Sequence, residues 1–243
     1  MPRFFVSPEL LSSDSVDLTG PLAHQISHVL RLSPGDAITL LDDSGWEYQA
    51  TLATVSGKQA SARITGRTQP ATEPRVRVSL FQALVTEQKL DWVLQKGTEL
   101  GVAAFCPIVT ERSLPARAGE AKLPRWRRIV TEAAEQSGRT RLPSVAAPRI
   151  LSDCLPPPTG VLALLGAVGV EATPLPRVLA ALAAPPAEVW LLIGPEGGFT
   201  AEEVALAREA GVQPIAVGPR ILRTETAGLA AAAALMYALG EWN

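Results

Sequence analysis

Apolar residues follow two regimes along this chain. Up to about residue 70 they come in short strand-length runs, and from Arg75 onward such runs alternate with helically spaced stretches. In the first part, residues 37–41, 46–52 and 60–64 are predicted strands, with Asp42-Asp43-Ser44-Gly45 and Ser56-Gly57-Lys58 as the turns between them. A short helix over 23–31 precedes them and stops at Ser33-Pro34-Gly35-Asp36. The polar stretch 66–74, with Pro70 and Pro74, reads as a linker. In the second part, strands are predicted over 76–84, 103–109, 161–165, 189–193 and 214–217. Helices are predicted over 87–100, 123–137, 174–183 and 226–239, with Gly101 and Gly138 ending the first two. The expected architecture is α/β: a small β domain over 1–70, then a domain over 75–243 whose largely parallel sheet is covered by helices.

Two loops in the second part share one grammar. Ile193-Gly194-Pro195-Glu196-Gly197-Gly198-Phe199-Thr200 follows the apolar run Val189-Trp190-Leu191-Leu192. Gly218-Pro219-Arg220-Ile221-Leu222-Arg223-Thr224-Glu225-Thr226-Ala227 follows Pro214-Ile215-Ala216-Val217. In each, a short β-type run leads into a loop rich in Gly or Pro and then a helical pattern. Glycine lets backbone approach a ligand because no Cβ intervenes. Thr200 with Glu202 and Glu203 supplies an N-cap and an acidic first turn for the next helix. Two such loops at the carboxyl ends of adjacent strands form a crevice, the usual ligand site of an open α/β sheet. A phosphate-binding P-loop is excluded, because Phe199 and Thr200 stand where Lys and Ser or Thr should follow the last glycine. A dinucleotide fingerprint is excluded by the spacing and by the late position in the chain. Leu164-Leu165-Gly166-Ala167-Val168-Gly169 is only faintly glycine-rich, and by itself reads as a plain loop.

Composition narrows the class. Hydrophobic residues at 47% and charged ones at 19% indicate an ordered globular chain. Charges, Pro and Gly interrupt every apolar run short of membrane-spanning length, and the N-terminal residues lack a signal-peptide core, so the expected setting is the cytoplasm. Cys106 and Cys154 have neither a disulfide framework nor metal spacing and read as buried thiols. His24 and His28 lie four apart without further ligands and read as surface histidines, so no metal is expected. The net charge of −2 is unevenly spread. Residues 1–74 hold five Lys and Arg against eight Asp and Glu, whereas 112–149 hold nine against three. That basic stretch either meets phosphates through Arg forks or is a solvated helix face.

With these residues in view, the chain resembles a known family. Leu192 to Thr200 with Glu203, and Val217 to Ala227, resemble the signature of the 16S ribosomal RNA uridine-N3 methyltransferases of the SPOUT class. Lys96-Gly97-Thr98-Glu99-Leu100-Gly101-Val102 and Glu132-Ala133-Ala134-Glu135-Gln136-Ser137-Gly138-Arg139 extend the resemblance. So do Arg3-Phe4-Phe5, His28-Val29-Leu30-Arg31-Leu32 and Gly35-Asp36, and the matches cover nearly the whole chain in order. The resemblance implies a PUA-like RNA-binding β-barrel in front of a methyltransferase domain. The carboxyl-terminal chain of that domain would form a deep trefoil knot around S-adenosylmethionine. A homodimer acting on 16S rRNA of the small ribosomal subunit is implied as well. A knot runs against the rule that chains do not thread loops, and the hydrophobic pattern does not suggest one. The cofactor contacts so implied fall at Leu165 and Gly166, and at Ile193, Gly194, Pro195, Glu196 and Gly197. They continue at Val217, Gly218, Ile221, Leu222, Thr226 and Ala227.

Uridine N3 is a poor nucleophile until its weakly acidic proton leaves, so the enzyme should accept that proton or stabilise the imide anion. The nucleophile must also be held in line with the sulfonium methyl. Arg223 is expected as the anion stabiliser and Glu225 as the base; the alternative is a structural ion pair at the helix start. Because N3 lies on the pairing edge, the target base must be unpaired or flipped out. Arg3, Arg31 and Arg139 are candidates for holding the RNA, with Arg125, Arg128 and Gln136 from the basic stretch. Two other readings stay open: a methyltransferase of this class acting on tRNA or another rRNA position, and a non-catalytic RNA-binding assembly factor.

Overall fold

The computed structural model describes residues 1–115 and 121–242; Arg117 and Glu120 of the basic stretch lie outside the described residues. The chain divides into two compact units. One comprises Met1–Glu73 with Ala134–Leu142, the other Pro74–Ala133 with the chain from Pro143 onward.

The first unit carries a five-stranded sheet of β1 (Arg3–Phe5), β2 (Ser15–Thr19), β3 (Ala37–Leu41), β4 (Glu47–Val55) and β5 (Gln59–Thr68), ordered β1-β3-β4-β5-β2. β1 runs parallel to β3 and the other pairs are antiparallel. Alternation along the strands sends Val16, Leu18, Ala50, Leu52, Ala60 and Ala62 to a shared core with Phe4, Ile38 and Leu40. The predicted short helix starts earlier than expected, as α1 (Gly20–His24) with Pro21 in its first turn, and runs on as a π-helical turn, Gln25–Val29. Beyond it, Arg31 takes a left-handed backbone, φ 53°, which is uncommon for a residue with a Cβ. His24 and His28 are exposed and stack on each other at 4.5 Å.

The second unit is built on eight parallel strands. They are β6 (Arg77–Ala83), β7 (Ala104–Val109), β8 (Ser144–Val145), β9 (Arg149–Ile150), β10 (Leu162–Gly166), β11 (Thr173–Pro174), β12 (Glu188–Ile193) and β13 (Gln213–Ala216). Their order is β11-β13-β10-β12-β6-β7-β8, with β9 also on β7. The helices are α2 (Glu87–Glu99), α3 (Leu123–Ser137), α4 (Leu175–Ala180), α5 (Ala201–Glu209) and α6 (Thr224–Ala238). The residues of α3 up to Ala133 group with this unit and its last ones with the other.

Neighbouring residues on each central strand serve opposite faces of the sheet. Leu80, Leu164 and Leu191 join Leu94, Trp126 and Leu235 on one side; Phe81, Leu165 and Leu192 join Ile108, Val204 and Ala207 on the other. Because both faces are covered, these strands read in the sequence as continuous apolar runs. Close approach on the first face depends on small residues. A Cβ on Gly97 would stand 2.7 Å from Phe105 Cε1, so glycine there lets α2 lie against β7. Among the described residues no helix is long and apolar enough to cross a membrane.

Candidate active site

Three loops leave the carboxyl ends of β13, β10 and β12, which are neighbours in the parallel sheet. Loop 167–172 follows β10, loop 194–200 follows β12 and loop 217–223 follows β13. Together they enclose a pocket of about 610 Å³, a volume suited to a small organic ligand.

Local sequence explains the shape of each loop. In loop 194–200, a Cβ on Gly194 would stand 3.1 Å from the Phe199 ring, so glycine lets the chain turn over that ring without displacing it. The turn closes with Gly198 N donating to Pro195 O at 2.9 Å. Thr200 and Glu203 then form a reciprocal capping box at the start of α5. Glu203 also accepts from the Glu111 backbone N–H at 2.8 Å, and Arg112 Nη1 donates to Gly197 O at 2.8 Å. Residues after β7 therefore brace this loop from the side. In loop 217–223, Gly218 lies on the wall and a Cβ there would meet nothing within 4 Å, so the space beside it is open. Ile221 is 80% exposed on the same wall.

Most of the cofactor residues expected from the sequence come together here. Gly166, Ile193, Gly194, Pro195, Glu196 and Gly197 line the pocket on the β10 and β12 side. Val217, Gly218, Ile221, Leu222 and Ala227 line it on the β13 and α6 side. Two expected residues do not. Leu165 is fully buried on the face of β10 that packs toward Phe81 and Leu192, one pleat away from the wall that Gly166 forms. Thr226 is exposed on α6 and does not line the pocket; Thr224, two residues earlier on the opposite, buried face, does. The sequence also passed over Arg112 and the loop residues Ala167 to Val170, all on the wall. Arg112 sits in a segment with no motif of its own, and its place becomes visible only once β7 is paired with β6.

Arg223 and Glu225 flank Thr224 at the head of α6, beside the pocket rather than in its wall. Among the described residues no ion pair joins them. Glu225 lies instead 3.8 Å from Lys89 Nζ, and the same ammonium holds Glu196 Oε1 at 2.6 Å. Lys89, on α2, thus spans acidic residues of both loop regions, a role its sequence neighbourhood gave no sign of. The hydrogen bond to Glu196 raises the Lys89 ammonium above its ordinary value, and the same bond holds the Glu196 carboxyl below its own. Burial pushes the Cys106 thiol up to about 11 and raises Cys154 as well, so both stay protonated near neutral pH.

The residues expected to hold RNA differ in their surroundings. Arg31, Arg128 and Gln136 are exposed, and Arg128 makes a loose 3.7 Å pair with Glu132. Arg125 is half-exposed between Glu87 at 2.7 Å and Asp91 at 2.5 Å. Arg3 is largely covered and pairs with Glu47. Arg139 is only 6% exposed, with Nη2 on Glu73 Oε2 at 2.7 Å, while Thr140 N and Arg141 N donate to the other Glu73 oxygen. Its guanidinium is directed inward and organises the turn after α3, a correction to its expected place on an RNA-facing surface.

The model of the RNA methyltransferase domain matches residues 72–236, and that of the RNA methyltransferase PUA domain matches 18–65. Over 227 residues the chain is 37% identical to the ribosomal RNA small subunit methyltransferase E of Synechocystis sp., spanning 93% of this chain and 74% of that relative. It is 32% identical over 247 residues to the protein of the same name from Bacillus subtilis, spanning 98% and 96%. A crystal structure of a ribosomal RNA small subunit methyltransferase E from Neisseria gonorrhoeae bound to S-adenosyl methionine shares the fold with TM-score 0.89 and 35% identity. The match covers 98% of this chain and 97% of that one.

Proposed function

Because the chain belongs to the ribosomal RNA small subunit methyltransferase E family, with an RNA methyltransferase domain behind a PUA domain, we propose that it methylates N3 of one uridine in 16S rRNA. It is an S-adenosylmethionine-dependent rRNA methyltransferase. The observation that carries the proposal is the pocket of about 610 Å³ between three glycine-bearing loops, with Arg223 and Glu225 at its side.

The pocket fits S-adenosylmethionine. Gly218 leaves the wall open where a side chain would intrude, and Gly166, Gly194 and Gly197 present backbone on the opposite side. When bound there, the cofactor supplies an electrophilic methyl on a sulfonium. This chain's residues would do the rest. The three loops hold the ligand in a fixed pose, so that the target nitrogen can approach in line. Glu225 takes the N3 proton, and Arg223 stabilises the charge that spreads onto the uracil carbonyl oxygens as it leaves. Arg31, Arg128 and Gln136 contact the RNA backbone, and Arg125 joins them by exchanging its surface carboxylates for phosphate. The same reading includes the knotted course of the carboxyl-terminal chain, a homodimer and a cytoplasmic setting.

The test uses small ribosomal subunits from cells lacking this gene, treated with the protein and S-adenosylmethionine. Mass mapping of the nuclease-digested 16S rRNA should find one new 3-methyluridine. A methyl on another base or atom, or on co-incubated tRNA alone, would replace the N3 assignment. No methyl transfer to any RNA would favour a non-catalytic binding role.

A further inference from the structure

Beneath the pocket lies a buried polar chain that the reaction itself does not call for. Gln82, on β6, is 2% exposed. Its Nε2 donates to Thr224 Oγ1 at 2.9 Å, and Thr224 Oγ1 donates to Gly194 O at 2.5 Å. The direction of both bonds is forced. A carbonyl only accepts, so the single hydroxyl proton of Thr224 goes to Gly194 O. The Thr224 oxygen must then receive a donor, and of the two ends of the Gln82 amide only the NH₂ can provide one. Nε2 also makes a long 3.4 Å contact with Ala83 O, while Oε1 is buried with no partner among the described residues. Such an unmet acceptor at this depth is a standing cost. A leucine or methionine at 82 would avoid it.

What the chain of bonds joins explains its presence. Gly194 belongs to loop 194–200 and Thr224 closes loop 217–223, and both line the pocket. The peptide between Gly194 and Pro195 has no N–H, so its carbonyl is the only polar group that can fix its plane. Thr224 holds that carbonyl, and Gln82 holds Thr224 from the sheet. Gly228 makes room for the amide: a Cβ there would lie 3.3 Å from Gln82 Oε1. We propose that Gln82 is a positioning residue for S-adenosylmethionine, acting through Thr224 to lock the two pocket loops in register. The proposal rests on the reading of this pocket as the cofactor site.

The test compares the full-length protein with Gln82→Met, Thr224→Val, Thr224→Ser, the double variant Gln82→Met/Thr224→Val, and Gly218→Val. S-adenosylmethionine is titrated by calorimetry and the melting temperature is followed alongside. Gln82→Met and Thr224→Val should each weaken the cofactor about tenfold, and the double variant should fall within about twofold of the worse single one. Thr224→Ser, which keeps the hydroxyl, should recover most of what Thr224→Val loses. KM for S-adenosylmethionine should rise in step, and in Gln82→Met, which lies outside the pocket wall, kcat at saturating cofactor should stay within about threefold of wild type. A purely structural role would lower the melting temperature and leave these binding terms alone. Wild-type cofactor affinity in Gln82→Met, or losses that add in the double variant, would overturn the proposal. If Thr224→Val does not fold, Gln82→Met alone decides. Gly218→Val separates the two readings: if it also binds with wild-type affinity, the site's location has failed, whereas if it alone loses affinity, only the positioning role has.

Discussion

Glu225 keeps one carboxylate oxygen buried without a hydrogen-bond partner among the described residues, 3.8 Å from the Lys89 ammonium. An acceptor left unmet inside a fold favours any donor that reaches it, and uridine N3–H is such a donor. Arg223, exposed at the head of α6, carries the matching positive charge. Replacing it by alanine should therefore leave cofactor affinity nearly unchanged and slow single-turnover methyl transfer roughly a hundredfold, about 3 kcal/mol of transition-state stabilisation. A rate within about threefold of wild type would make Arg223 structural. The position of these two residues beside the pocket was legible because they sit inside a contiguous motif. Arg112, Lys89 and Gln82 were not, because each gains its meaning from a partner far along the chain: Gly197, Glu196 and Thr224 respectively. Arg139 shows the opposite error. An arginine in a basic stretch reads as a surface cation, and only the fold reveals Glu73 beneath it.

At the scale of elements, the central strands of the second unit were found within a residue or two, because burial on both faces makes each a single apolar run. The strands that escaped notice are short or polar. β8, β9 and β11 have two residues each and β1 has three, and β2 alternates exposed Ser, Asp and Thr with its buried Val16 and Leu18. Their pairing is set by distant neighbours, which no local window contains. Helix α2 shows what elements add to the site, since Lys89 ties it to loop 194–200 through Glu196. The raised Lys89 contributes stability that is complete below 10.5 and lost as pH rises through its folded value. The lowered Glu196 contributes stability that is complete above 4.5 and lost as pH falls through its own. The difference in thermal stability between wild type and Lys89→Met should thus be flat across neutral pH and narrow toward either extreme. Melting curves over a pH series would show this; an undiminished gap at about pH 2.5 would assign the effect to packing of the lysine stem.

For the whole molecule, the alternation of strands and helices was enough to foresee a parallel sheet with its ligand loops at one end. The division into units was less legible, because the first unit draws on two separate stretches, Met1–Glu73 and Ala134–Leu142. Glu73 and Asp43 are fastened by the later stretch: Arg139 on Glu73, and Leu142 N on Asp43 Oδ1 at 2.6 Å. A fragment of residues 1–73 should accordingly be weaker than the same unit in the intact chain. The fragment loses the Arg139–Glu73 pair and the Leu142–Asp43 bond together with the packing of residues 134–142, so its melting temperature should fall below that of the same unit in the intact chain. Circular dichroism of the fragment against the intact protein is the measurement, and equal melting would show the second stretch to be dispensable. The discontinuity also dictates a timetable during translation. Domains commonly fold from the amino terminus as they are synthesised, but here the first unit cannot be finished until residue 142 has been made. All five strands of its sheet are made early, yet the unit must wait for its closing piece while β6, α2, β7 and most of α3 emerge ahead of it.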